Sequence, residues 1–292
     1  MTAATGYTDI EVEIADPVAL IRLNRPEKLN AFTYHTLAEI RAAIDSAARD
    51  PRVVGIVITG NGRGFSAGLD SQVLADVTSR SQGATRAPVR PAEARSTGDG
   101  LESAALAGEE QALPGIFSYF LQVPKPIIAA INGVAAGGGL ILALMSDVRF
   151  ASTAASFTTV FLKRGLIAEH GSSWLLPRMV GIGRALDLLW MSDQIDAAEA
   201  HRLGLVEKLV APETLLDAAC DYVRKLAVTA APAAIAETKR LLYRHLGCGY
   251  VEALHEANAS QDRFVAAADA AEGARALIEK RVPKFTRLGH GG

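Results

Sequence analysis

The chain has 292 residues, of which 49% are hydrophobic and 21% charged, and this composition excludes a disordered or collagenous protein. Its formal net charge of −2 argues against bulk electrostatic binding to nucleic acid, which requires a basic surface. Two cysteines are too few for a disulfide framework. No signal peptide is visible, and no stretch reaches the ~20 unbroken apolar residues of a membrane helix. We therefore expect a cytoplasmic protein without membrane contact.

The amino-terminal part predicts a hairpin, a helix and a buried strand. Residues 11–14 alternate like a half-buried strand, and residues 18–23 form its partner after a turn. Apolar residues at helical spacing predict a helix over 33–49, which a following Asp-Pro pair ends. Residues 53–58 are apolar on both faces, a pattern that indicates a strand buried on both sides.

The composition changes over residues 78–112, where Ser, Thr, Gly, Pro and Arg dominate. This segment is predicted to be a long mobile loop. A loop of this size in a compact domain is usually functional or disordered. We expect it to shape the pocket of any ligand.

The middle of the chain predicts a second buried strand at 126–131, a glycine-rich turn at 132–139 and a helix opening at 140–145. A short strand at 148–151 and two short helices at 171–180 and 184–191 follow. Beyond residue 210 the pattern is continuously helical.

The predicted fold class is therefore α/β, with a core at 1–210 and a helical region at 211–292. The apolar faces of the helical region exceed what the core needs to cover, and this excess predicts oligomerisation.

Several common sequence motifs are absent. Three glycines at 60, 62 and 64 follow a strand, but a dinucleotide-binding fingerprint would need glycine at the position of Phe65. The sequence contains no P-loop, no H-E-x-x-H zinc motif and no G-x-S-x-G nucleophile elbow.

Two glycine-containing segments, 65–70 and 137–139, each follow a buried strand. Glycines there let a ligand approach the backbone closely, and a helix start presents N–H groups without partners. Two such N–H groups directed at one point form an oxyanion hole. The alternative is that both segments are tight turns needed only for packing.

Taken together and in order, the segments 23–31, 53–70, 128–139 and 146–147 resemble the crotonase superfamily, the enoyl-CoA hydratase/isomerase group. The resemblance runs from about residue 10 to 288. It implies a crotonase-like spiral of ββα units with a carboxy-terminal helical trimerisation region, assembled as a homotrimer or a hexamer of two trimers. It also implies an acyl-CoA substrate, with coenzyme A as part of that substrate and no separate cofactor or metal.

The resemblance assigns catalytic and binding roles to particular residues. The N–H groups of Ala67 and Gly138 are expected to hold the thioester oxygen, and a loop at Lys28 is expected to lie along the CoA. Three basic residues could contact the CoA phosphates or could be ordinary solvated charges: Arg25, Lys28 and Lys284. The full substrate-binding set implied is Lys28, Leu29, Ala67, Gly68, Leu69, Asp70 and Gly138.

The sequence departs from the family pattern at both usual catalytic carboxylates. The positions that carry glutamate in the hydratases hold Ile141 and Phe161 here, and neither side chain can transfer a proton. Glu169 resembles the single acidic residue of certain enoyl-CoA isomerases, and it is the predicted acid/base. Its alternative role is only to favour the start of a helix near Gly171. The adjacent His170 is expected to point away from Glu169, because neighbours in sequence usually point apart. Its alternative role is participation in the reaction.

One carboxylate favours enoyl-CoA isomerisation, because the same group can take a proton and return it elsewhere. Hydration is possible if Glu169 activates water while solvent supplies the other proton. The alternatives are another crotonase-type reaction, such as acyl-CoA hydrolysis, and a catalytically silent acyl-CoA-binding homologue.

Overall fold

The computed structural model describes residues 6–83, 113 and 115–289. The loop predicted for 78–112 lies mostly outside these residues, but its first six belong to a helix that runs to Gly83. The predicted start of the loop at residue 78 is therefore wrong, because the helix continues to Gly83.

Ten strands in the described chain form a six-stranded sheet, in the order β1-β2-β3-β5-β7-β10, and a four-stranded sheet, in the order β4-β6-β8-β9. Their bounds are β1 Ile10–Ala15, β2 Val18–Leu23, β3 Gly55–Gly60, β4 Gly64–Ser66, β5 Ile127–Ile131, β6 Val134–Ala136, β7 Val148–Ser152, β8 Ser156–Thr158, β9 Ile195–Asp196 and β10 Lys208–Val210.

The α-helices of the described chain cover the sheets and then continue as a carboxy-terminal group. Their bounds are α1 Tyr34–Arg49, α2 Ser71–Gly83, α3 Gly138–Met145, α4 Ser172–Val180, α5 Ile182–Met191, α6 Ala197–Leu203, α7 Leu215–Thr229, α8 Pro232–His245, α9 Tyr250–Val265 and α10 Ala268–Glu279.

Three successive units repeat the order strand, strand, helix. In each unit the first strand (β3, β5 or β7) joins the large sheet, and the second (β4, β6 or β8) joins the small one. The helix that follows (α2, α3 or α4) returns the chain toward the next unit. Neighbouring strands from successive units are parallel, so each loop after a short strand emerges at the same edge of the small sheet.

Two hydrophobic clusters flank the large sheet. The larger packs α1, α3, α4 and α5 against one face, with Ile40, Ile58 and Leu142 fully buried. The smaller packs α7 against the other face, and both Val223 of α7 and Val57 of β3 belong to it. Helix α7 therefore belongs to the core, and the hydrophobic core extends past the predicted boundary at residues 210 and 211.

Helix α8 is held to the core by buried polar contacts around Asp147. The Asp147 carboxylate accepts hydrogen bonds from two residues of α8, Lys239 Nζ at 2.7 Å and Tyr243 Oη at 2.9 Å. It also accepts one from Ile127 N at 2.7 Å. Lys239 Nζ also lies 3.3 Å from Lys125 O. The cluster of Asp147, Lys239 and Tyr243 therefore gives Asp147 a structural role.

Large apolar side chains remain exposed on α5 and on α8 to α10. No described helix combines the length and the apolar character needed to cross a membrane. The predicted trimer or hexamer, which would cover such faces, stays a prediction. The exposed side chains on these helices are Ile182, Leu186, Trp190, Met191, Leu242, Tyr250, Val251, Leu254, Val265, Leu277 and Ile278.

The predicted hairpin, the helix ending at Arg49 and the buried strands at the positions of β3 and β5 are confirmed. Thr33 caps α1 by accepting a hydrogen bond from Thr36 N, so the helix proper begins one residue later than predicted. The predicted turn at 132–139 contains β6 and the start of α3. Three-residue strands such as β6 are too short to show a period in sequence.

Candidate active site

The two glycine-containing segments singled out in the sequence lie against each other. They follow β4 and β6, which are parallel neighbours with Gly64 paired to Val134. A Cβ placed on Gly68 would lie 2.8 Å from Gly138 N and 2.6 Å from Ala136 O, and Gly68 has a φ of +87°. Glycine is therefore required at 68 both by the close approach and by the backbone angle.

The backbone N–H groups of Leu69 and Gly138, which lie at this junction, have no hydrogen-bond partner among the described residues. Gly138 is the first residue of α3, where a helix leaves its N–H groups without intrahelical acceptors. A Cβ placed on Gly138 would lie 3.6 Å from Leu69 N, so the two residues are in contact. The pair can hold one oxygen that carries negative charge.

Leu69 keeps its N–H free because its neighbours make the local hydrogen bonds. Phe32 N donates to Gly68 O at 2.7 Å, and Asp70 N donates to Phe32 O at 2.9 Å. These two bonds form an isolated parallel bridge between Phe32 and Leu69 that fixes the segment.

The geometry conflicts with the predicted role of Ala67. Its N–H donates to Leu29 O at 2.9 Å, so this group already has an acceptor. The positive φ of Gly68 turns the backbone between Ala67 and Leu69, and the sequence carries no signal that tells which of the two N–H groups stays free. Of these two N–H groups, the one without an acceptor among the described residues is that of Leu69, which was predicted only as a binding residue.

The loop predicted to lie along the CoA is placed against the same segment. Lys28 ends a short 3-10 helix with an exposed side chain, and Leu29 and Asn30 follow with φ of +50° and +56°. The buried Asn30 amide donates to Gly64 O at 2.8 Å, while Leu29 O receives the Ala67 bond. The structure therefore brings Leu29 and Asn30 next to the segment 64–67, and the contact of this loop with CoA stays a prediction.

Asp70 and Arg25 are occupied by contacts within the protein. Asp70 is buried; one carboxylate oxygen lies 3.3 Å from Arg25 Nη2, and the other accepts from Gln72 N at 3.0 Å at the start of α2. Arg25 also donates to Ala31 O at 2.6 Å. The predicted direct contact of Asp70 with substrate conflicts with this arrangement, in which it holds the loop and caps the helix.

Lys284 lies apart from these groups, in the chain segment after α10. Its side chain is exposed, and its backbone N–H donates to the Glu272 carboxylate of α10 at 2.8 Å.

The two positions that hold glutamate in the related hydratases are apolar and buried here. Ile141 lies one turn into α3 and is fully buried, with its N–H donating to Gly137 O. The Phe161 ring comes within 4.0 Å of a Cβ placed on Gly137. These side chains present a dry hydrocarbon surface beside the start of α3 and supply no proton.

Glu169 lies in the turn before α4, with about a third of its side chain exposed. This turn packs on α3, because a Cβ placed on Gly171 would lie 3.0 Å from Met145 Cε. Helix α4 begins after Gly171 without any side-chain cap, and Glu169 contributes only its backbone oxygen, which accepts from Ser172 N at 2.9 Å. The Glu169 carboxylate therefore does not serve as a helix cap.

His170 faces Glu169, contrary to the expectation that neighbours in sequence point apart. Its Nε2 lies 3.7 Å from Glu169 Oε2, and its backbone has a φ of +52°. Burial lowers the pKa of the His170 imidazole, and the Glu169 carboxylate opposes that shift. Burial thus favours the neutral form of this imidazole.

A cavity of about 920 Å³ adjoins this turn. Gly171 and Trp174 line it from α4, Met145 from α3, and Lys239 and Tyr243 from α8. Within the described chain, none of the residues predicted to bind or transform substrate lines it. No group of three or more His, Cys, Asp or Glu side chains among those described is arranged to hold a metal ion.

Comparisons with known proteins agree on one family. The profile of the enoyl-CoA hydratase/isomerase family matches residues 13–95 and 102–288. A Mycobacterium tuberculosis protein named as a probable enoyl-CoA hydratase, EchA12, is 36% identical over 272 residues, which are 92% of this chain and 89% of that protein. The 1,2-epoxyphenylacetyl-CoA isomerase of Escherichia coli is 33% identical over 270 residues, 92% of this chain and 95% of the isomerase.

The solved structures give the same result. The enoyl-CoA hydratase of Bacillus anthracis superposes with a TM-score of 0.80 at 26% identity, covering 97% of this chain and all of the other. An enoyl-CoA hydratase from Mycobacterium tuberculosis has a TM-score of 0.78 at 29% identity, with coverage of 95% and 98%.

Proposed function

This chain belongs to the enoyl-CoA hydratase/isomerase family, and we propose that it shifts the double bond of an enoyl-CoA thioester with Glu169 as the single proton carrier. Its two sheets and carboxy-terminal helices form the crotonase fold. The observation that carries the proposal is one carboxylate in the turn packed on α3, while the usual carboxylate positions hold the buried Ile141 and Phe161.

The N–H groups of Leu69 and Gly138 bind the thioester oxygen in this proposal. Removing a proton from the carbon next to a thioester makes an enolate, in which that oxygen gains negative charge. Two fixed donors stabilise the charge as it develops, and losing one donor of this kind costs ~2.7–4 kcal/mol in comparable sites. Their lack of protein partners among the described residues supports this role.

Glu169 takes a proton from one carbon of the acyl chain and returns it to another. A single carboxylate suffices for this reaction, because the proton count of the enzyme is the same before and after each turnover. The addition of water by two carboxylates is incompatible with Ile141 and Phe161. Hydration by this chain would need Glu169 to activate water while solvent supplies the second proton.

The CoA part of the substrate lies along the loop at Lys28 and Leu29. This loop contacts the segment 64–67 through the Ala67 to Leu29 hydrogen bond, so it lies next to the thioester donors. The exposed Lys28 ammonium supplies a positive charge for a phosphate of the CoA.

The test is turnover of a panel of 2-enoyl-, 3-enoyl- and dienoyl-CoA esters by the purified protein, analysed by mass spectrometry. Isomerisation leaves the product mass unchanged and shifts its retention time. Water addition raises the mass, and hydrolysis releases free CoA thiol. We expect the isomerised product from wild type and its loss in Glu169→Gln. Water addition or CoA release as the main reaction, or no turnover of any ester, would refute the proposal.

A further inference from the structure

We propose that His170 is a proton relay between Glu169 and solvent, an inference that rests on the proposed function of Glu169. The structure places the two side chains face to face, with His170 Nε2 3.7 Å from Glu169 Oε2. That distance is longer than a hydrogen bond, so proton transfer in this proposal requires a side-chain rotation that brings the two atoms closer.

The backbone supports a built arrangement rather than a chance approach. His170 has a φ of +52°, a conformation that is uncommon for residues with a side chain. In extended backbone, neighbouring side chains point to opposite sides. The positive φ of His170 departs from that geometry, so its side chain can lie on the same side as that of Glu169. Such local strain persists only where the surrounding structure imposes it, and Gly171, which follows, is fixed against Met145.

The exposure of the pair suits a relay. The side chains of His170 and Glu169 are 32% and 34% exposed, so the imidazole has a path to water while both groups remain partly enclosed. In the described part of the chain, Glu169 is the charged group that acts on the His170 imidazole. A neutral imidazole next to a carboxylic acid can accept its proton without a change in the net charge of the pair.

The relay step is balanced in protons. After Glu169 has taken a proton from the substrate carbon, its carboxyl gives that proton to the neutral His170 imidazole. The carboxylate re-forms, the imidazolium gives a proton to water, and the reverse sequence returns a solvent proton to Glu169. No electrons are transferred. Exchange of the Glu169 proton with solvent through His170 competes with direct return of the original proton to the substrate.

The experiment measures deuterium in the isomerised product formed in D2O by the full-length protein. Wild type is expected to incorporate solvent deuterium at the carbon that receives the proton. His170→Asn cannot relay a proton, and asparagine tolerates positive φ. We expect this variant to lose most of the deuterium while still isomerising, because Glu169 then returns the original proton. His170→Gly, which also accepts this backbone angle, tests the same loss if the asparagine variant fails to fold.

Chemical rescue separates a relay from a structural role. Free imidazole added to His170→Gly is expected to restore deuterium incorporation, which a merely structural histidine would not allow. His35→Gln is the matched control, since His35 is an exposed histidine whose Nε2 lies 3.0 Å from Glu39 on α1. It should leave the deuterium content unchanged.

The failures of the two proposals are distinguishable. Normal isomerisation by His170→Asn with wild-type deuterium content, or no response of His170→Gly to imidazole, overturns the relay alone. Absence of turnover by the wild-type protein overturns the proposed function and the relay with it.

Discussion

Substitution at Gly138 can distinguish the role of its backbone N–H from the effect of adding a side chain. A Cβ at this position meets Gly68, Leu69 and Phe32 at 3.5–3.7 Å, which is ordinary contact. Gly138→Ala should therefore fold and keep the donor. Gly138→Pro removes the donor at a first helical position, where proline is tolerated.

We expect Gly138→Pro to lower kcat by ~10²–10³-fold, while Gly138→Ala stays close to wild type. Steady-state kinetics on the isomerised ester, with circular dichroism to verify folding, makes the comparison. Equal activity of the two folded variants would show that this N–H does not contact the reacting oxygen.

The assignment of Leu69 rather than Ala67 as the second donor has its own test. Leu69→Pro removes an N–H that has no protein acceptor among the described residues, so turnover should fall by ~10²–10³-fold. Ala67→Pro breaks the bond to Leu29 O and should mainly lower the melting temperature. Leu69→Ala keeps the N–H and is the control. The reverse pattern, with the activity loss at 67 and the stability loss at 69, would restore Ala67 as donor.

Glu169→Gln preserves the size of the side chain but cannot carry a proton at neutral pH. A positioned acid/base group contributes ~10²–10⁴-fold to rate, and we expect a loss of that order in single-turnover experiments. The dissociation constant of a CoA ester should change little, because Leu69 and Gly138 hold the thioester. Near-normal chemistry, or loss of binding together with loss of stability, would assign Glu169 a structural role instead.

At the scale of elements, Glu237 joins α8 to α9. Hydrogen bonds from Arg240 and, on α9, from Ser260 lower the pKa of Glu237 to about 2. Because the pKa in the folded protein is below the ordinary value of 4.5, the stabilisation is fully present above pH 4.5. It is lost as pH falls from 4.5 toward 2.

Glu237→Gln should therefore reduce the free energy of unfolding at pH 7, and its difference from wild type should shrink as pH falls from 4.5 toward 2. Urea unfolding at pH 7, 5 and 3 measures the difference. Glu213→Gln, at an exposed carboxylate before α7, is the control. A difference between Glu237→Gln and wild type that stays constant down to pH 3 would contradict the assignment.

Periodicity predicted the long elements of this fold better than its short ones. Helix α1 and strands β3 and β5 carry enough residues for a helical repeat or an apolar run to show. Strands β4, β6 and β8 have three residues each, and their partners come from distant parts of the chain. The same limit applies to the candidate site. The free N–H of Gly138 could be predicted because this residue begins an apolar helix. The free N–H of Leu69 results from a bridge to Phe32, which the sequence does not show.

At the scale of the whole molecule, the exposed apolar side chains on α5 and on α8 to α10 predict assembly. We expect a trimer or a hexamer by light scattering at micromolar concentration. Leu277→Glu combined with Ile278→Glu replaces two side chains that are 80% and 81% exposed in the single chain. The pair should leave the fold intact and shift the mass toward the monomer. A monomeric wild-type protein would contradict the prediction.

The contacts of Asp147 also constrain the order in which the chain can fold. Its partners Lys239 and Tyr243 lie 92 and 96 residues further along, so they leave the ribosome after the carboxylate does. Until α8 arrives, Asp147 has only the Ile127 N–H of these three donors, and a poorly paired carboxylate with a side chain only 15% exposed disfavours the closed structure. We therefore expect nascent chains, and chains cut before α8, to remain loosely closed around β5 and β7, where proteases can recognise them.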